Sequence, residues 1–225
     1  MVKKSKVFGL LLAVLCLAPV LSGCLKENNT TVALLEIGTA ANVIPGEIRT
    51  EFESKMDIYE GTTPPDITSS FVIAENELSY SSDGYDANFA DHYMMFYNKK
   101  GNRYQYKAKQ VESISEASDV IVIGRGDTFT AYFTSVHEYE DGVTTCVTAD
   151  LISGRMTSSG IRDIKHAFIM LEKNDPDDKL MDENEFRVFY DGDGLAAFES
   201  WDYTKAQEAS AVKSDEVSDL AKSDN

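Results

Sequence analysis

From Ile67 to Tyr190 the sequence is cut into short runs of β-branched and aromatic residues, each about ten residues from the next and each closed by a turn signal. The runs are Ile67–Ile73, Leu78–Tyr80, Phe89–Tyr97, Arg103–Val111, Val120–Gly124, Phe129–Glu138, Thr144–Ile152, Ile161–Leu171 and Phe186–Tyr190. Val, Ile, Thr, Tyr and Phe suit a pleated, half-buried surface. Asp83-Gly84, Lys100-Gly101, Gly124-Arg-Gly-Asp127, Asp141-Gly142, Ser153-Gly154 and Asp191-Gly-Asp-Gly194 supply the turns. No helical spacing separates the runs, so neighbours in sequence become antiparallel neighbours in space. The chain is therefore expected to be all-β, an antiparallel meander of about 8–10 strands. Closure removes exposed strand edges, which favours an up-and-down barrel over a sandwich. A barrel near eight strands holds a packed core or one small ligand.

Alternation along single runs indicates their faces. Phe129, Ala131 and Phe133 alternate with Thr130, Tyr132 and Thr134, and Ile164, His166, Phe168 and Met170 alternate with Lys165, Ala167, Ile169 and Leu171. The second run is apolar on both faces near its end, as when a strand is covered on its outer side as well. A short N-terminal helix over 47–57 could supply that cover. Ile48, Phe52 and Met56 recur every fourth position there, and Glu51 and Lys55 pair at i,i+4. The same stretch alternates charged and uncharged residues, but Glu, Arg and Lys favour the helix. Tyr59 to Asp66, with Pro64-Pro65, reads as a turn-rich connection.

The 38 acidic side chains outnumber 21 basic ones, a formal charge of −17 that repels phosphate backbones and excludes ordinary nucleic-acid binding. The front of the chain differs in character. Lys3, Lys4 and Lys6 precede Val7–Leu21, an uncharged run that matches a signal-peptide core and falls short of the ~20 residues of a bilayer span. It ends in Leu21-Ser22-Gly23-Cys24, which resembles the lipobox of bacterial lipoproteins. That resemblance implies cleavage before Cys24 by the lipoprotein signal peptidase and acylation of the Cys24 thiol. Residues 1–23 are then the signal peptide, 24–45 the acylated cysteine and linker, 46–203 the β-rich domain and 204–225 an acidic disordered tail. Residue 25 is leucine, whereas an aspartate there resembles an inner-membrane retention signal; the expected address is the outer membrane. Cleavage leaves 18 basic against 38 acidic side chains, so the membrane hold comes from the lipid and not from attraction to anionic headgroups.

Only Cys146 then stays as a free thiol, which excludes an internal disulfide and a cysteine-based metal site. It sits in a β-branched run, where cysteine acts as a small packing residue. The body, over roughly 67–190, resembles the lipocalin-like (calycin) barrels, although their Gly-x-Trp opening is absent and the single tryptophan is Trp201. Trp201 and Tyr203 are expected to pin the end of the domain.

Candidate chemistry is sparse. Asp175, Asp177, Asp178 and Asp182 fall in an eleven-residue acidic stretch that could offer oxygens to calcium, against the plainer reading of a solvated loop. EF-hand spacing fails there, with Lys179 and Leu180 at the fifth and sixth positions. Asp191 and Asp193 read as a hairpin turn, with a second oxygen set as the alternative. Arg125-Gly126-Asp127 matches the tripeptide read by integrins and equally makes a tight turn between strands. Tyr93, Tyr97, Tyr104 and Tyr106 could stack on sugars or pack across strands. No Gly-x-Ser-x-Gly, His-Glu-x-x-His or Gly-x-x-x-x-Gly-Lys pattern occurs, and the three histidines stand far apart in sequence. The expected protein is thus a membrane-anchored envelope lipoprotein without enzyme activity, binding a small apolar ligand, a glycan or a protein. A carboxylate-dependent secreted hydrolase and a structural subunit of a surface complex are the alternatives.

Overall fold

The computed structural model describes residues 42–200 apart from Glu47 and Asn88. The signal, lipobox and Cys24 expectations, most of the linker, Trp201, Tyr203 and the acidic tail lie outside the described residues. Among the described residues one five-residue helix, α1 (Arg49–Glu53), precedes eleven strands. These are β1 (Thr62–Thr63), β2 (Ser69–Ile73), β3 (Asn76–Ser81), β4 (His92–Lys100), β5 (Arg103–Gln110), β6 (Ser113–Arg125), β7 (Thr128–Tyr139), β8 (Thr145–Thr157), β9 (Gly160–Asn174), β10 (Phe186–Asp191) and β11 (Leu195–Phe198).

Strands β4 to β9 form an uninterrupted antiparallel meander. Closure is made by two broken strands. β2 pairs with β4 and with β11, β11 pairs with the start of β9, and β10 pairs with the middle of β9 and with β3. β2 and β3 therefore act as one bent strand, β10 and β11 as another, and the first lies against the last. The ring is an eight-stranded up-and-down β-barrel, as the alternation and hairpin spacing require. Only β1 departs from the antiparallel pattern: it runs parallel to β6 through Thr62 and Gly124. The reading of 59–66 as pure connection thus misses a two-residue strand.

The inward stripes fill one end of the barrel with Phe71, Phe96, Phe129, Phe133, Met94 and Tyr106, all buried. Outward-facing Ile121, Tyr132, Leu151 and Ile169 are covered by Ile44, Phe52 and Met56 from the segment around α1. The helix is shorter than 47–57, yet its expected apolar face is the one used. A second anchor is the Tyr59 N–H, which reaches the outward Thr130 hydroxyl at 2.8 Å.

Closure imposes one backbone demand. Gly160, at φ +143°, pairs with Ala197 across the β9–β11 seam, and a Cβ there would overlap the Ala196 carbonyl oxygen. Gly160→Ala should therefore cost about 3 kcal/mol, from strain plus the clash. Urea unfolding should show a lowered midpoint; an unchanged midpoint would mean that the seam is not built this way.

Candidate functional site

Each inward stripe changes character toward the opposite end of the barrel. On β7 the series Phe129, Ala131, Phe133 continues as Ser135, His137 and Tyr139. On β8 Ile152 is followed toward the strand start by Asp150, Thr148 and Cys146, and on β9 Ile164 leads to His166, Phe168 and Met170. Pleat and register bring these residues together: Ser135 opposes Thr148, His137 opposes Cys146, and Ile152 opposes His166. β4 adds His92 and β5 adds Tyr106. The result is a cavity of about 140 Å³ whose lining includes His92, His137, His166, Cys146, Thr148 and Ser115. All three histidines of the chain thus converge, although 45 and 29 residues of sequence separate them.

Asp150 organises the site from behind. It is 2% exposed and accepts the Ser135 hydroxyl at 2.6 Å, the Thr148 hydroxyl at 2.5 Å and His166 Nε2 at 3.1 Å. Burial alone would push its pKa up, but His166, His137 and Ser135 outweigh that and hold it below the usual carboxylate range. The tautomers follow from this ionised acceptor. His166 must donate through Nε2. The Ser135 and Thr148 protons go to Asp150, so their oxygens can only accept from His137 Nε2, at 3.0 and 2.8 Å. In their neutral forms both rings are left with Nδ1 as a bare acceptor, the arrangement that carboxylate-oriented histidines adopt toward a ligand. His92 Nε2 meets the Tyr106 hydroxyl at 3.0 Å, and its ring lies 5.0 Å from that of His166. Burial drives the pKa of His92 well below the ordinary histidine value and lowers that of His137, with like charge on His166 adding to both.

Two groups that could attack a substrate, Ser135 and Cys146, are tied up. Ser135 is fully buried, with its proton committed to Asp150. Burial pushes the Cys146 thiol up to about 12, so it holds its proton at neutral pH. Its role is packing against Met170 and Met181, as its β-branched surroundings suggested. At the rim, Arg187 pairs with Asp83 and lies 4.2 Å over the Tyr85 ring, and Lys179 pairs with Asp177 at 2.8 Å.

The acidic stretch Asp175–Glu185 overhangs this mouth and contributes Lys179, Leu180 and Met181 to the lining. Its four calcium candidates face lysines or main chain, except that Asp175 Oδ1 is buried without a partner. Lys173 bridges Asp178 and Asp182 at 3.3 and 3.0 Å, Asp177 meets Lys179, and Asp175 accepts the Leu180 N–H at 2.6 Å. A cation there would have to displace those partners. Among the described residues no group of three or more His, Cys, Asp or Glu side chains is placed to hold a metal ion.

Arg125-Gly126-Asp127 closes the β6–β7 hairpin, with Gly126 at φ +67° and Asp127 held by Arg155 at 2.8 Å. Tyr104 and Tyr106 lie inside the barrel and cannot form a sugar platform; Tyr93 and Tyr97 are half-buried on its outer face. The histidine convergence was readable in part. His166 already belongs to the inward phase of its run, and continuing the phase of Phe129, Ala131 and Phe133 reaches Ser135 and His137.

No family model, curated protein or solved structure matches this chain.

Proposed function

We propose that this chain is an envelope lipoprotein, acylated at Cys24 and held at the outer membrane, whose lipocalin-like barrel is a non-catalytic binding module. The observation that carries the binding reading is the mouth cavity, where imidazole acceptors and apolar walls meet while the Ser135 hydroxyl and the Cys146 thiol are held. Its size narrows the ligand class. Drug-sized ligands occupy pockets of about 300–1,000 Å³, and the packed floor leaves about 140 Å³. A small molecule with hydrogen-bond donors on a short apolar body suits His137, His166, Phe168 and Met170 better than a bulky apolar one. No helix among the described residues is long and apolar enough to cross a membrane, and the lipid on Cys24 supplies the hold in this reading.

The hydrolase reading needs two carboxylates converging in a concavity with one pKa raised. Asp191 is raised to about 6, by burial and then by Asp193, but the pair lies on the β10–β11 turn and does not line the mouth cavity. The subunit reading needs contiguous apolar surface. The exposed bulky apolar side chains, Tyr85, Val136, Val143 and Phe198, are spread over four segments.

Fractionation of cells expressing the full chain and its Cys24→Ser variant tests the proposal. The parent should stay with membranes and the variant should move to the soluble fraction. Native mass spectrometry of the released chain should show a small added mass that His166→Leu abolishes. A Cys24→Ser chain that stays in the membrane fraction overturns the anchor, and a bare parent mass overturns the binding module.

A further inference from the structure

Away from the mouth, the seam between β3 and β10 carries an unbalanced set of oxygens. Asn76 and Asp191 stand directly opposite each other, so their side chains leave the same face. They are 6% and 3% exposed, yet Asn76 Oδ1 and Asp191 Oδ2 receive no hydrogen bond. Two orphaned acceptors on facing residues are costly, and such groups call for a missing partner. A second acid makes the imbalance worse. The Asp193 N–H reaches Asp191 Oδ1 at 3.3 Å, and the charges of Asp193 and Glu75 act on the same carboxyl. No ion pair among the described residues involves Asp191, Asp193 or Glu75.

We propose that Asn76, Asp191 and Asp193 form a calcium site, with water completing the shell. All the donors are oxygens, which excludes the soft transition metals as the preferred occupant. Calcium accepts mixed carboxylate, amide and water oxygens in a flexible six- to eight-fold shell, whereas magnesium demands a near-ideal octahedron. Only two of its protein donors are carboxylates and the third is an amide, so no group of three His, Cys, Asp or Glu side chains meets there. Its place in the fold gives it a mechanical role. β2 passes into β3 at Ala74–Glu75, and β10 passes into β11 through Gly192–Gly194, so the ion pins both bent strands at the point where they change partners.

The test is thermal unfolding of the acylated full chain in detergent, stripped with EDTA and then titrated with calcium chloride. Calcium should raise the midpoint by several degrees and saturate with a Kd of about 0.1–1 mM, the range of extracellular modules. Magnesium should give a markedly smaller shift. Asp191→Asn should abolish the calcium response while being at least as stable as the parent in EDTA, because it removes an uncompensated charge. Asp193→Asn, at an exposed position, should weaken the response at least tenfold and serves if Asp191→Asn fails to fold. Asp178→Asn with Asp182→Asn should leave the response intact. The proposal is overturned if 10-fold the upper Kd of calcium produces no shift, or if the Asp178/Asp182 pair abolishes the response and Asp191→Asn leaves it.

Discussion

Asp150→Ala should destabilise the domain by about 3–5 kcal/mol, the cost of breaking a buried charged network by removing one partner. For a domain of this size that lowers the unfolding midpoint by roughly 10 °C. The physical reason is the number of donors it strands. Ser135, Thr148 and His166 all point their protons at this one carboxylate, and all three are buried. Asp150→Asn should cost less, about 1–3 kcal/mol, because the amide oxygen keeps the two hydroxyls. Its NH₂ would then face His166 and force that ring to accept through Nε2, which inverts the tautomer. Guanidinium unfolding reads the first effect and histidine ¹⁵N spectra the second. The three histidines of the chain give three separable rings. A midpoint for Asp150→Ala within 1 °C of the parent would show that the network is not buried as described.

Mild acid should weaken the fold, starting near pH 6.5. His92 and His137 have folded pKa values below the unfolded one. Above about pH 6.5 neither state takes up a proton at these rings and their contribution to stability is intact. Below it, the unfolded chain binds protons that the folded chain refuses, and stability falls until the folded pKa values are reached. Each ring contributes up to about 1.4 kcal/mol per pH unit, so the pair contributes up to about 2.7. Asp191 acts in the opposite sense. Its folded pKa of about 6 exceeds the unfolded one, so with calcium chelated its protonation offsets roughly one histidine as the pH falls. The net expectation is a loss of stability between pH 6 and 5, smaller than the two histidines alone would give. Asp66 and Asp83, lowered to about 2, are held in place by Thr68 with Lys99 and by Arg187 respectively, against burial that raises both. Their contributions are present above the unfolded carboxylate range and fade only as the pH falls toward 2, outside this window. Urea midpoints at pH 7.5 and pH 5.0 check the expectation, and equal midpoints would mean that the rings are solvated or already charged.

The strands from β4 to β9 were legible because one face of each is buried, and burial on one face writes a two-residue period into the sequence. Legibility stops where that pressure stops. The first half of β6, Ser113–Asp119, carries Glu116, Ser118 and Asp119, and its pairing with β7 slips between Glu116 and Ile121. With a bulge in the ladder the period is interrupted, so only Val120–Gly124 stood out. β11 has two alanines in four residues, and its identity as a strand comes from the edges it joins, which no local pattern records. α1 was legible as an apolar face and not as a length, because tertiary burial of Phe52 and Met56 holds the segment whether or not the helix extends. For the cavity, the phase of β7 and β9 marked His137 and His166 as inward, but their meeting with His92 and Asp150 depends on strand register across the whole barrel. The Asn76–Asp191 pair was less visible still, since Asn76 carries no signal until its opposite number is known.

The pairing of β2 with β11 sets a condition on the order of assembly. The hairpins from β4 to β9 are local contacts that form as soon as each turn is available, whereas the seam joins Phe71 to Phe198. A chain delivered from its N-terminus pairs β2 with β4 early but leaves the other edge of β2 open until almost the last residue of the barrel has arrived. Loop closure over that separation makes the final step the slow one, and an open half-barrel is the species most exposed to sticking to its neighbours. A chaperone that shields a lone β-edge would act at that stage, with Ser69–Ile73 as the ribbon it must cover.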